Sequence, residues 1–139
     1  MHKIYSRVDT DKLLHIIHRL DEINQDRVDV IDEDNFLQLA VLKMKHGKTF
    51  KPHYHIWKDA KRERVIAQES WVVIKGYVKC ILYDIDGKII SEPILGPGDC
   101  SITLEGGHNF EILADNTVVY EFKTGPYEGI EMDKRFIDE

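Results

Sequence analysis

Two histidines stand two positions apart in Pro52-His53-Tyr54-His55, and a carboxylate and a third imidazole follow at Glu69 and His108. In an extended strand residues i and i+2 share a face. His53 and His55 are therefore expected to aim both rings at one point, with Tyr54 on the other side. Three neutral imidazoles and a carboxylate form a donor set for one divalent transition metal, and they admit Zn, Fe, Mn, Ni or Co alike. Such a shell leaves one or two positions for water or a ligand, where the metal serves as a Lewis acid, an activator of water or a template. A four-coordinate structural zinc is disfavoured, because neither Cys80 nor Cys100 lies near these residues in the chain. Taken singly, each donor has a plainer role. His53 would be a turn residue after Pro52, Glu69 the exposed end of a strand, and His108 a turn residue after Gly106-Gly107.

The elements that must position these residues can be read from the apolar pattern. Leu13, Leu14, Ile16, Ile17, Leu20 and Ile23 fall at helical spacing behind Asp9-Thr10 as a cap, and predict one amphipathic helix over residues 10–24. His15 and His18 would be ordinary polar residues of that helix. The acidic stretch 24–35 reads as a solvated linker with a short strand at Val28–Ile31. From Asn35 onward, short apolar runs alternate with turns: Asp84-Ile85-Asp86-Gly87 signals a hairpin, and Gly96-Pro97-Gly98-Asp99 a second turn. Strands at this density predict an all-β sandwich or barrel. The domain organisation expected is residues 1–34 as helix and linker and residues 35–139 as β-barrel with a C-terminal tail.

Composition excludes several classes. A chain of 139 residues is one domain of ordinary size, with 42% hydrophobic and 32% charged residues, as in globular proteins. The formal charge of −6 argues against a nucleic-acid partner. No apolar run is long enough to span a membrane, and Met1 to Asp9 lacks a signal-peptide pattern, so a cytoplasmic location is expected. Cys80 and Cys100 form no CxxC motif and read as small buried hydrophobes with free thiols.

The string Gly47-x5-His53-x-His55, followed by Glu69-x6-Gly76, resembles the first motif of the cupin superfamily, G-x5-H-x-H-x3,4-E-x6-G. Gly98-x5-Leu104-x-Gly106-x-His108 is similar to the second, G-x5-P-x-G-x2-H-x3-N. Thirteen residues separate His55 from Glu69, Leu104 replaces proline, His108 comes one residue early, and Ile112 replaces asparagine. Further strings, Leu95-Gly96-Pro97-Gly98 and Tyr120 to Tyr127 among them, resemble the WbuC-type cupin-fold metalloproteins of bacterial surface-polysaccharide gene clusters. The resemblance implies a cupin jelly roll, a double-stranded β-helix, with the metal held by His53, His55, Glu69 and His108. It also implies a homodimer and a bacterial protein handling a carbohydrate or nucleotide sugar.

The remaining site candidates concern the small-molecule ligand. Trp71 would stack on a sugar or base, or else pack in the core. Arg62 and Arg64, in the charged insertion 56–68, would meet a phosphate or carboxylate, or else simply be solvated. Tyr127, after Gly125-Pro126, would line the pocket. Three functions follow from such a site: a metal-dependent sugar isomerase or epimerase, an iron-dependent dioxygenase, and a ligand-binding or sensor domain without turnover.

Overall fold

The computed structural model describes residues 1–43, 45–55, 65–125, 129–133 and 135–137. Among these residues eleven strands appear in chain order: β1 (His2–Tyr5), β2 (Leu13–His18), β3 (Arg27–Asp29), β4 (Ala40–Leu42), β5 (Glu69–Lys75), β6 (Val78–Tyr83), β7 (Ile89–Ser91), β8 (Ile94–Leu95), β9 (Cys100–Thr103), β10 (Gly107–Ile112) and β11 (Val118–Lys123). One helical turn, α1 (Ile130–Asp133), follows them. Among the described residues no helix is long and apolar enough to cross a membrane.

All pairings among the described strands are antiparallel. A five-stranded sheet runs β1-β2-β9-β5-β11, and a second runs β10-β6-β7 with β8 also on β6. Strands β3 and β4 form a small third sheet. The expected all-β architecture is present, but among the described residues the sheets stay separate and do not close into a barrel.

One core cluster lies between the two larger sheets. Ile4, Ile17 and Val73 come from the five-stranded sheet, and Val78, Cys80, Leu82 and Leu95 from its neighbour. The alternation Val78, Cys80, Leu82 turns one face of β6 inward, as the sequence implies. Each fully buried aliphatic chain of this kind stabilises the fold by about 1.5–3 kcal/mol. A second cluster covers the opposite face of the five-stranded sheet. There Ile16, Cys100 and Ile102 meet Val30 and Ile31, with Val28 and Val41 of the β3–β4 hairpin packed against them.

This double coverage corrects the expected N-terminal helix. Residues 13–18 are strand β2, buried along nearly its whole length, and only the short 3-10 turn Leu20–Glu22 follows. A strand covered on both faces reads as a continuous apolar run, and the doublets Leu13-Leu14 and Ile16-Ile17 also match helical spacing. Ile17 serves the inter-sheet core and Ile16 the outer one, as the two-residue alternation of a strand requires. Residues 1–34 thus supply β1 and β2 to the same sheet as β9 and β5. His15 and His18 are buried strand residues, not solvated helix residues.

The turns follow the sequence more closely. Gly87 closes the β6–β7 hairpin at φ +81, a conformation open to glycine, and its N–H donates to Asp84 O at 3.0 Å. Asp84 itself is buried, which opposes its ionisation. The Ser6 hydroxyl at 2.6 Å and the Arg7 and Ile85 N–H groups nonetheless hold its carboxyl below the ordinary carboxylate range. Cys80 and Cys100 are buried and free, and burial pushes both thiols up to about 11.

Candidate functional site

The site forms at one end of the sandwich, where β5 and β10 begin and β11 ends. Register places the residues there. Glu69 is paired with Lys123 and Trp71 with Glu121 across the β5–β11 ladder, so all four side chains share the face turned toward the second sheet. From that second sheet β10 contributes His108 and Phe110. These residues line a cleft of about 600 Å³, closed on a third side by Asp133 and the tail residues Arg135 to Ile137.

At its centre His108 Nε2 lies 3.2 Å from Glu69 Oε1, and the Glu69 side chain is only 13% exposed. A hydrogen bond to that carboxylate places an imidazole proton on Nε2, and in the neutral ring this leaves the Nδ1 lone pair as an acceptor. Nδ1 of His108 is buried and has no hydrogen-bond partner among the described residues. A buried polar atom without a partner is costly, and it is one place where a bound group would be accommodated.

Beside this pair the rings of Trp71 and Phe110 stack, 3.9 Å apart and 8° from parallel, and His108 tilts against Phe110 at 5.5 Å. The Trp71 indole N–H donates to Glu121 Oε2 at 3.0 Å, which fixes a second carboxylate at the edge of the aromatic pair. The Lys123 ammonium pairs with Asp133, tying the turn α1 to the end of β11.

Gly106 and Gly107 make room for this arrangement in a way the sequence does not disclose. A Cβ on Gly106 would come within 2.3 Å of His15 Nε2, and one on Gly107 within 2.6 Å of Ile137 Cδ1. The space beside the glycines is thus filled by a buried histidine and by the tail. His15 Nε2–H donates to Tyr83 O at 3.0 Å, and Nδ1 then accepts from the Thr103 hydroxyl at 3.2 Å. Burial is the main reason its pKa falls below the ordinary histidine value, with the nearby His108 acting in the same direction. His15 is therefore a neutral, fully bonded support beneath the cleft.

The sequence-derived donors separate into two pairs. Glu69 and His108 meet in the cleft. His53 and His55 lie in coil, since residues 48–55 form no strand, and both are exposed. Their rings approach at 5.3 Å and 76°, and His53 Nδ1 contacts Lys51 O at 3.0 Å. Among the described residues no group of three or more His, Cys, Asp or Glu side chains stands close enough to hold a metal ion. The described geometry fits two donors of the expected four. Trp71 lines the cleft, whereas Arg62, Arg64 and Tyr127 lie outside the described residues.

Sequence reasoning missed Phe110, Glu121, Lys123 and Asp133. A signal for the β11 pair exists in the alternation Tyr120-Glu121-Phe122-Lys123. It becomes useful only once the register places Glu121 opposite Trp71 and Lys123 opposite Glu69. Comparison with protein-family models, with curated proteins and with solved structures found no match for this chain.

Proposed function

We propose that this protein is a cupin-like binding domain that takes a small hydroxylated molecule, a carbohydrate either free or nucleotide-linked, in the cleft between its two larger sheets. The observation that supports this most is the meeting of Glu69 and His108 beside the stacked Trp71–Phe110 pair. An apolar wall with a few convergent polar groups is the usual composition of a small-molecule site. The aromatic pair offers a flat surface to the C–H face of a sugar ring. Glu69, Glu121 and His108 offer acceptors for its hydroxyls.

The test is a titration of carbohydrates into the wild type and Trp71→Ala, followed by calorimetry. Binding that weakens at least about tenfold in the variant supports the assignment. Equal affinity in the two proteins would move the site elsewhere.

A divalent metal is the second reading, favoured by His108 Nδ1, which lacks a hydrogen-bond partner among the described residues, and by the adjacent carboxylate. Glu69 and His108 would hold it, joined by His53 and His55 from the coil. Bound there, the metal would supply Lewis-acid chemistry for isomerisation, or an oxygen-dependent chemistry if it is iron. Elemental analysis of untagged protein separates the possibilities. Metal that disappears in Glu69→Gln/His108→Ala and persists in His53→Ala/His55→Ala restricts the site to the cleft pair. Metal lost in both variants restores the four-donor set. A wild type that stays metal-free after supply with zinc and iron removes this reading.

A further inference from the structure

Trp71 and Phe110 reach each other from different sheets. Trp71 stands on β5 and Phe110 on β10, and among the described residues no ladder joins those two strands. Both rings are half-buried, packed against the inter-sheet core and lining the cleft. Side-chain torsions rather than backbone hydrogen bonds therefore set the distance between them, and the χ2 torsion of both ring types is soft.

The rings lie 8° from parallel with centroids 3.9 Å apart. Aromatic pairs favour offset or edge-to-face arrangements with centroids about 4.5–7 Å apart, because a sandwich sets two negative ring faces against each other. The Trp71–Phe110 pair is close to that less favoured sandwich. A flat heterocycle between the rings would replace one poor stack with two, one on each of its faces. A puckered sugar ring has no flat face to fill such a gap, whereas a nucleobase has two.

Glu121 supplies a direction for this ring. Its Oε2 accepts the Trp71 indole N–H at 3.0 Å, which fixes the indole plane, and its side chain is exposed in the cleft lining. A carboxylate has about four lone-pair sites, so the same group can accept a further N–H from the edge of an inserted ring. Two residues nearer the start of each strand, on the same faces, stand Glu69 and His108, where an attached sugar would continue.

We propose that Trp71 and Phe110 form a closed clamp that opens to take a planar heterocycle bearing a ring N–H, the base of a nucleotide-linked sugar, with that N–H directed at Glu121. Insertion widens the centroid distance to roughly 7 Å, twice the contact distance of carbon atoms. The attached sugar rests on the carbohydrate assignment above; the clamp rests on the ring geometry alone.

The experiment follows the Trp71 and Phe110 ring protons by NMR, with the indole assigned through Trp57→Phe. The probes are uridine, guanosine, their ring N-methylated forms and glucose. The tighter-binding nucleoside is expected to shift both rings upfield and to abolish the Overhauser contacts between them. Its N-methylated form is expected to bind about tenfold more weakly. Phe110→Leu, which keeps an apolar side chain and removes one ring face, is expected to weaken nucleoside binding about tenfold. The wild-type contacts decide the matter if this variant does not fold. Nucleoside binding that leaves the Trp71–Phe110 contacts intact overturns the proposal, as does equal affinity for the N-methylated form. Binding of glucose but of neither nucleoside overturns it and leaves the carbohydrate assignment standing. Insertion of a nucleoside with no response to glucose supports the clamp and removes the free-sugar form of that assignment. Silence from every probe overturns both.

Discussion

Glu69 and His108 lie far apart in the chain and meet; His53 and His55 lie two residues apart and do not join them. The first pair sits on strands whose neighbours fix every rotation. β5 is held between β9 and β11, and β10 is held along its whole length by β6. The second pair sits on coil, with the neighbouring Tyr54 98% exposed. A His-x-His spacing predicts convergence only where a ladder enforces the two-residue alternation. Position in a ladder, more than spacing, decides which ligand-type residues become a site.

The comparison breaks most visibly at glycine. Gly106 belongs to the ladder half, where an added Cβ would strike the His15 ring at 2.3 Å and the Tyr83 carbonyl at 2.7 Å. Gly106→Val is expected to cost about 3 kcal/mol or more, because neither neighbour can retreat from a filled core. Gly47, in the coil half, has nothing within 4 Å of its would-be Cβ, but its φ is +80. Gly47→Ala is therefore expected to cost only about 1–2 kcal/mol, through the left-handed backbone alone. Urea denaturation of both variants checks the pair. Similar losses would mean that the coil half is as tightly built as the strands.

A second effect belongs to the ladder half alone. Burial lowers the pKa of His15, and of His18, below the ordinary value of 6.5. The unfolded chain then binds more protons than the fold once pH falls below 6.5. Stability is full above that pH and declines below it, with a limiting slope of about 1.4 kcal/mol per pH unit for each proton. His15→Gln, which retains a donor for the Tyr83 carbonyl, is expected to flatten part of this decline and leave the share due to His18. Denaturation midpoints between pH 5 and pH 8 measure it. An identical slope in wild type and variant would place the titration elsewhere.

What the sequence revealed follows the same division. The hairpin at Gly87, the buried alternation of β6 and the strands from β5 to β11 were legible because two-residue alternation and turn residues agree there. Strand β2 was not, because it is buried on both faces and its doublets satisfy helical spacing equally well. Of the site, Glu69, Trp71 and His108 were legible as residue types. Their partners Phe110 and Glu121 required the register, which is a property of pairing between strands and is not written in any one of them, and Asp133 required the docking of α1 against the end of β11.

The smallest expected effect bears hardest on the comparison. His53→Ala/His55→Ala alters two exposed rings whose contacts among the described residues are with each other and with the Lys51 carbonyl. Its effect on stability is expected to stay within about 0.5 kcal/mol, as for other surface changes away from caps and cores. Glu69→Ala is expected to cost about 1–2 kcal/mol, because it leaves His108 with a second polar atom lacking a partner. The ratio of these two losses, read from one denaturation series without added metal, tests the division directly. A loss above about 2 kcal/mol in the coil variant could not come from two solvated imidazoles. It would require His53 and His55 to pack against the fold in solution, and the four donors of the sequence pattern would then deserve to be treated as one site.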